Sequence, residues 1–69
     1  MDVEIKQNLK GLMYEVEISC IQYGMANETY QSSYLEPDEQ RVRLADKLQE
    51  ASDKWGVASK NLYDYLESL

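Results

Sequence analysis

The chain has 69 residues, one cysteine, no histidine and a formal net charge of −6, which exclude an intrachain disulfide and leave little material for a large hydrophobic core. The missing histidine removes the commonest zinc ligand and the commonest general base, so we predict no metal, no cofactor and no catalytic residue. The acidic charge repels phosphate backbones and anionic lipid, which disfavours nucleic acid and membranes as partners.

The start of the chain and its apolar content predict a cytoplasmic protein. Asp2 and Glu4 are acidic where a secretory signal would be basic. No apolar run approaches the roughly 20 residues that a membrane span needs. A lone Cys20 fits a reducing compartment. We therefore expect one small soluble domain over residues 1–69, which gains stability by oligomerisation or by docking onto a partner.

Residues 2–26 are predicted to form the first helix, which Asp2 can cap. On a helical wheel its apolar residues form two stripes. The main stripe, expected to form the core with Cys20 as a buried, inert thiol, contains Ile5, Leu9, Leu12, Met13, Val16, Cys20 and Tyr23. The outer stripe lies nearly opposite and contains Tyr14, Ile18, Ile21 and Met25. A helix with two apolar sides has two surfaces to cover, and we assign the outer stripe to a second molecule.

Part of the same segment also has the pattern of a β-strand. Residues 14–20 alternate apolar and polar side chains and include β-branched residues, with Gly11 and Gly24 as candidate strand boundaries. We favour the helix for residues 13–23 because the main stripe continues from Ile5 to Tyr23, which is longer than a typical strand.

Residues 27–36 are predicted to be a connection, and Pro37 then fits the start of a second helix over residues 38–55. Apolar residues recur from Leu44 to Leu69 at alternating steps of four and three. Gly56 followed by Val57 resembles a helix stop, after which Ser59 could cap a third helix over residues 59–68. The predicted fold is all-α with three helices in a helical hairpin or bundle. A single kinked C-terminal helix is the alternative.

Residues 51–66 resemble the turn and second helix of helix-turn-helix DNA-binding proteins. Gly56 and Val57 stand at the turn of that motif, Leu62 follows six residues after the glycine, and Tyr65 or Leu66 anchors the end. The resemblance implies a DNA-binding transcription regulator. The charge of this segment disfavours DNA binding. The helix that would contact DNA carries Asp64 and Glu67 beside Lys60, and its net charge of −1 repels phosphates.

Six tyrosines and no phenylalanine indicate rings that are partly exposed at an interface, since tyrosine combines a large apolar area with a polar tip. We predict a protein-interaction module that acts as a regulator or inhibitor by binding a partner protein, as a homodimer or in a hetero-complex. Its partner could present a basic, nucleic-acid-binding surface. A purely structural component of a larger assembly has the same sequence features. The predicted partner-binding residues are Tyr14, Ile18, Ile21, Met25, Tyr30 and Tyr34.

Overall fold

The computed structural model describes residues 2–69, and within this range the chain forms two long helices that pack together. Helix α1 is Val3–Gln31 and helix α2 is Asp38–Ser68, joined by residues 32–37. At 1.5 Å per residue each helix is about 45 Å long, and the molecule measures 53 × 15 × 11 Å. The fold is an all-α helical hairpin.

Contacts along the hairpin show that the two helices are antiparallel. Near the open end, Asn8 Nδ2 donates a hydrogen bond of 3.2 Å to the Tyr65 hydroxyl. Further along, the rings of Tyr23 and Trp55 lie 5.3 Å apart between centroids. At the connection, the Arg41 guanidinium lies 5.8 Å from the centre of the Tyr30 ring. Residues that come later in α1 therefore contact residues that come earlier in α2.

Each helix contributes one seam to the interface, and the side chains of both seams are buried or half-buried. The α1 seam contains Ile5, Leu9, Leu12, Val16, Ser19, Tyr23, Ala26 and Tyr30. The α2 seam contains Arg41, Leu44, Leu48, Ala51, Trp55, Ala58, Leu62 and Tyr65. Both alternate steps of three and four residues, which is the heptad spacing that keeps one stripe of a helix facing its partner along its full length.

The middle of the interface is built from small side chains. Ser19 is 7% exposed and Ala58 is 9% exposed. The Ser19 hydroxyl donates to the carbonyl oxygens of Glu15 at 2.7 Å and Val16 at 3.0 Å in its own helix. Because that hydroxyl is satisfied locally, the serine can be buried without a polar partner on α2.

Local signals in the sequence set where the helices begin. The Asp2 side chain accepts a hydrogen bond of 3.1 Å from the backbone N–H of Glu4, as an N-cap does. Pro37 precedes α2, and its carbonyl accepts from the backbone N–H groups of Gln40 and Arg41, each at 3.0 Å. A proline fits this position because no N–H is needed there.

The predicted three-helix arrangement is wrong, because residues 2–69 contain two helices and α2 passes through residues 56–59 without a break. Gly56 does not adopt a positive φ, and Ser59 lies inside the helix rather than at a cap. A mid-helix glycine costs about 1 kcal/mol relative to alanine. The α2 seam continues on both sides of Gly56, and its burial outweighs that local cost.

Other expectations for the first half need correction. Residues 13–23 are helical, as favoured, but α1 continues beyond residue 26 to Gln31 because the seam extends through Ala26 and Tyr30. Met13 and Cys20 are exposed instead of buried in the core. Ser19 lies on the seam instead, because a step of three residues leads from Val16 to Ser19 and a step of four leads from Ser19 to Tyr23. The predicted main stripe therefore lies slightly to one side of the true interface.

Candidate interaction surface

The outer stripe of α1 contains four of the six predicted partner-binding residues. Tyr14, Ile21 and Met25 are 60%, 56% and 65% exposed, while Ile18 is half-buried. The four residues span about 16 Å along the helix at 1.5 Å per residue. They lie on the side of α1 that faces away from the α1 seam, so α2 leaves Tyr14, Ile21 and Met25 mostly uncovered.

Two members of the outer stripe also border shallow grooves between the helices. Ile18 lines a groove on one flank of the hairpin, together with Val57 and Ala58. Ile21 lines a groove on the opposite flank, together with Trp55 and Leu62. The outer stripe therefore extends around the back of α1 from one flank to the other.

Tyr30 and Tyr34 lie at the connection and form a second group, separate from the outer stripe. Tyr30 is half-buried, and the Arg41 guanidinium lies over its ring. Tyr34 stands in the connection and is 71% exposed. The six predicted partner-binding residues therefore lie in two groups, one along α1 and one at the connection.

The segment that resembles a helix-turn-helix does not form that motif. Residues 51–66 are one continuous stretch of α2, with Ala51, Leu62 and Tyr65 on the seam against α1. Lys60 Nζ lies 3.2 Å from Asp64 Oδ2 within the same helix. With no turn at Gly56 there is no second helix set at an angle to enter a DNA groove.

Several exposed apolar residues on α2 were missed as surface residues. Val42, Val57, Tyr63 and Leu66 are 59%, 60%, 67% and 45% exposed. Tyr63 is the exception, since it is one of the six tyrosines whose rings were expected to be partly exposed. Val57 and Leu66 were assigned to a helix stop and to the end of a DNA-binding motif, although the steps from Leu44 to Leu69 leave both outside the seam.

The described residues contain neither a metal-binding cluster nor a membrane-spanning helix. Across residues 2–69, acidic side chains and Cys20 do not gather into any group of three that could hold a metal ion. Neither α1 nor α2 has the length and apolar character of a bilayer-spanning helix.

The chain is similar to a protein of a bacteriophage. A protein of Enterobacteria phage T4, described as an uncharacterized 8.8 kDa protein in the pseT-alc intergenic region, is 39% identical to the chain over 67 residues. That alignment covers 91% of the chain and 85% of the T4 protein. No solved structure matches the chain. The model of a family described as a Bacteriophage T4 protein matches residues 1–69, and the chain belongs to that family.

Proposed function

We propose that this chain is a non-catalytic protein-interaction module that regulates or inhibits a partner protein by binding it through the outer stripe of α1. The observation that carries the proposal is the exposure of Tyr14, Ile21 and Met25 on a helix whose other side packs on α2. Exposed apolar area is unfavourable by roughly 25 cal/mol per Å², and a contiguous apolar patch of this kind is typical of a binding surface.

The chemistry of the outer stripe suits a protein partner. Aromatic residues and methionine are enriched at the centre of protein interfaces, where they fill pockets and exclude water. Tyr14 supplies a flat ring with a polar tip, and Met25 supplies a flexible side chain that adapts to an irregular surface. At the connection, Tyr34 can extend the contact, and the Arg41 guanidinium lies over the Tyr30 ring.

The net charge of −6 favours a partner with a basic surface. Complementary charge accelerates encounter and discriminates against acidic partners. A basic surface that binds nucleic acid would be blocked by such an acidic hairpin, and this is the form of inhibition we propose. The free Cys20 supports a reducing compartment, so we place this activity in the cytoplasm.

Affinity capture with two matched double variants tests this proposal. Tyr14→Glu/Met25→Glu removes two apolar side chains from the outer stripe. Gln31→Glu/Gln40→Glu adds the same two charges at exposed polar positions that lie off the outer stripe. We expect a partner retained by the wild type and by the glutamine variant to be lost from the outer-stripe variant.

Titration of the purified partner then gives the affinities and the effect on its activity. We expect the Kd for the outer-stripe variant to rise by about tenfold or more, since interface anchors contribute over ~1.4 kcal/mol each. Binding should weaken as salt is added, because a basic partner surface contributes charge attraction. Equal affinity of the two double variants would exclude the outer stripe as the binding surface.

A further inference from the structure

An apolar groove runs along one flank of the hairpin, beside the proposed partner site. It has a volume of about 530 Å³ and lies between α1 and α2. Its floor is formed by the seam residues Val16, Trp55 and Leu62, and the exposed Met13 and Cys20 stand on its α1 side. Ile21 is shared between this groove and the outer stripe, whereas Tyr14 and Met25 do not line it.

The α2 side of this groove is continued by a row of uncharged residues. α2 has twelve charged residues in its 31 positions, and none falls on this row. The row flanks Trp55 and Leu62 at helical spacing and consists of Val42, Ala45, Gln49, Ser52, Gly56, Ser59, Tyr63 and Leu66. The opposite flank differs, because the groove there is lined on α2 by Glu50, Asp53 and Lys54 beside Val57.

Gly56 lies in the middle of the uncharged row, and the hairpin itself does not require a glycine there. A Cβ added at Gly56 would meet no heavy atom within 4 Å in the described part of the chain. Gly56 also has no positive φ. An alanine would therefore fit and would stabilise the helix by roughly 0.5–1 kcal/mol. A glycine at this place does have a use if another backbone approaches α2 closely.

The exposed area of the hairpin is larger than a compact chain of its size should have. The chain exposes 5582 Å², whereas a folded monomer of 8.0 kDa exposes about 4,450 Å². The excess of about 1,100 Å² exceeds the roughly 800 Å² that each partner buries in a standard interface. The radius of gyration of 15.9 Å is likewise above the about 11 Å of a compact domain of this length.

We propose that a second copy of this chain docks on the groove flank, so that two hairpins form a four-helix bundle about a two-fold axis. A protein with a net charge of −6 repels itself, and it can self-associate most readily through a face without net negative charge. The groove flank comes nearest to this condition, because its α2 row is uncharged and Glu17 is the single charged residue that lines the groove.

A two-fold arrangement also accounts for the apolar floor. In an isologous interface the same patch meets itself, so Trp55 and Leu62 of each copy are covered at once. Two stacked hairpins add the second layer that a two-helix chain lacks, and four-helix bundles are built in this way. Close approach at Gly56 lets the α2 helices of the two copies pack with little separation.

The mass of the purified chain in solution, measured by sedimentation at concentrations from about 1 to about 100 µM, tests the proposal. We expect the wild type to be a dimer at the upper end, and Leu66→Glu to be monomeric there with unchanged helical content by circular dichroism. The matched control is Val57→Glu, which puts the same charge on an exposed aliphatic position of α2 that lines the opposite flank. We expect that control to remain dimeric.

Two further measurements locate the interface. Cys20 lines the groove and is exposed in the single chain, so its rate of modification by a thiol reagent should fall as wild-type protein is concentrated. In Leu66→Glu that rate should stay constant. Gly56→Leu should raise the dimer Kd by about tenfold, because its side chain occupies the space between the two helices.

These results separate the groove from the partner site. A wild type that is monomeric at about 100 µM overturns the dimer. A dimer abolished by Val57→Glu or by Tyr14→Glu, but unaffected by Leu66→Glu, overturns its placement on the groove flank. A dimer equally tight in Gly56→Leu overturns the close approach at that residue. Since the measurement uses the purified chain alone, it does not depend on whether the outer stripe binds another protein.

Discussion

The α1 seam and the outer stripe of α1 have the same apolar spacing but opposite surroundings. Side chains of the α1 seam, such as Leu12 and Val16, are half-buried against α2, whereas Tyr14 and Met25 on the outer stripe are mostly exposed. Steps of three and four residues show that a side of a helix is apolar. They do not show what covers it.

The two stripes differ because only the α1 seam has a matching apolar surface within the same chain. The α1 seam meets an α2 seam with the same heptad spacing, and small residues at Ser19 and Ala58 let the helices come close. The outer stripe has no such counterpart in the hairpin. The comparison therefore predicts that substitutions on the two stripes affect different properties: those on the seams change stability, and those on the outer stripe change binding.

Truncation of the largest seam side chain should have the largest effect on stability. Trp55→Ala removes the ring whose centroid lies 5.3 Å from that of the Tyr23 ring, and it opens the floor of the groove. We expect a loss of about 3 kcal/mol in the free energy of unfolding, because large core truncations leave cavities that relax only in part. Urea denaturation followed by circular dichroism, at a fixed protein concentration, measures the loss. A change below ~1 kcal/mol would show that the seam contributes less than its geometry implies.

Enlargement of the small residue at the middle of the seam should have the next largest effect. Ser19→Leu forces a bulky side chain into the layer beside Ala58, and we expect a destabilisation of about 1–3 kcal/mol. Ser19→Ala is the control, since the Ser19 hydroxyl bonds only within α1 in the described interface. That control should remain within about 0.5 kcal/mol of the wild type. Equal effects of both variants would mean that the hydroxyl, rather than the volume, matters.

Replacement of an exposed glycine should stabilise the hairpin without touching either groove. Gly11 precedes Tyr14 by three residues on the same side of α1, and an added Cβ would meet nothing within 4 Å among the described residues. Gly11→Ala should therefore raise the free energy of unfolding by about 0.5–1 kcal/mol through helix propensity. A rise in the thermal midpoint checks this, and a fall would reveal a close contact at Gly11 that a single hairpin does not contain.

Truncation of an outer-stripe residue should have the smallest effect on stability. Tyr14→Ala removes a side chain that is 60% exposed, so we expect the free energy of unfolding to change by no more than about 0.5 kcal/mol. Binding to the proposed partner should nevertheless weaken. Denaturation and partner titration on the same preparation compare the two effects, and a large loss of stability would place Tyr14 in a core rather than on a binding surface.

Much of the fold follows from local rules. Asp2 caps α1 as expected, Pro37 precedes α2, and the all-α class follows from apolar stripes that continue for many turns. These features depend on interactions within a few residues, which a sequence displays directly. The outer stripe also follows from its spacing, and its exposure agrees with a surface position.

Features that depend on packing between the helices do not follow from local rules. Gly56 and Val57 carry a local stop signal, yet α2 continues because its seam is buried on both sides of them. Ser19 looks polar in sequence but is buried, and Cys20 looks apolar but is exposed. In each case the register between the two helices determines which residues are buried. This register is a property of the pair of helices rather than of either segment.

The amino-acid sequence alone is enough to show that this protein is small, acidic and helical, with apolar residues on two sides of its first helix. Composition, charge and periodicity are sums over local residues, so no knowledge of the partner helix is needed to read them. The two-helix hairpin, its seam through Ser19 and Ala58 and the groove beside Trp55 become visible only in the folded structure. Those features depend on how far burial along α2 outweighs the local cost of Gly56, and that balance exists only when both helices are in contact.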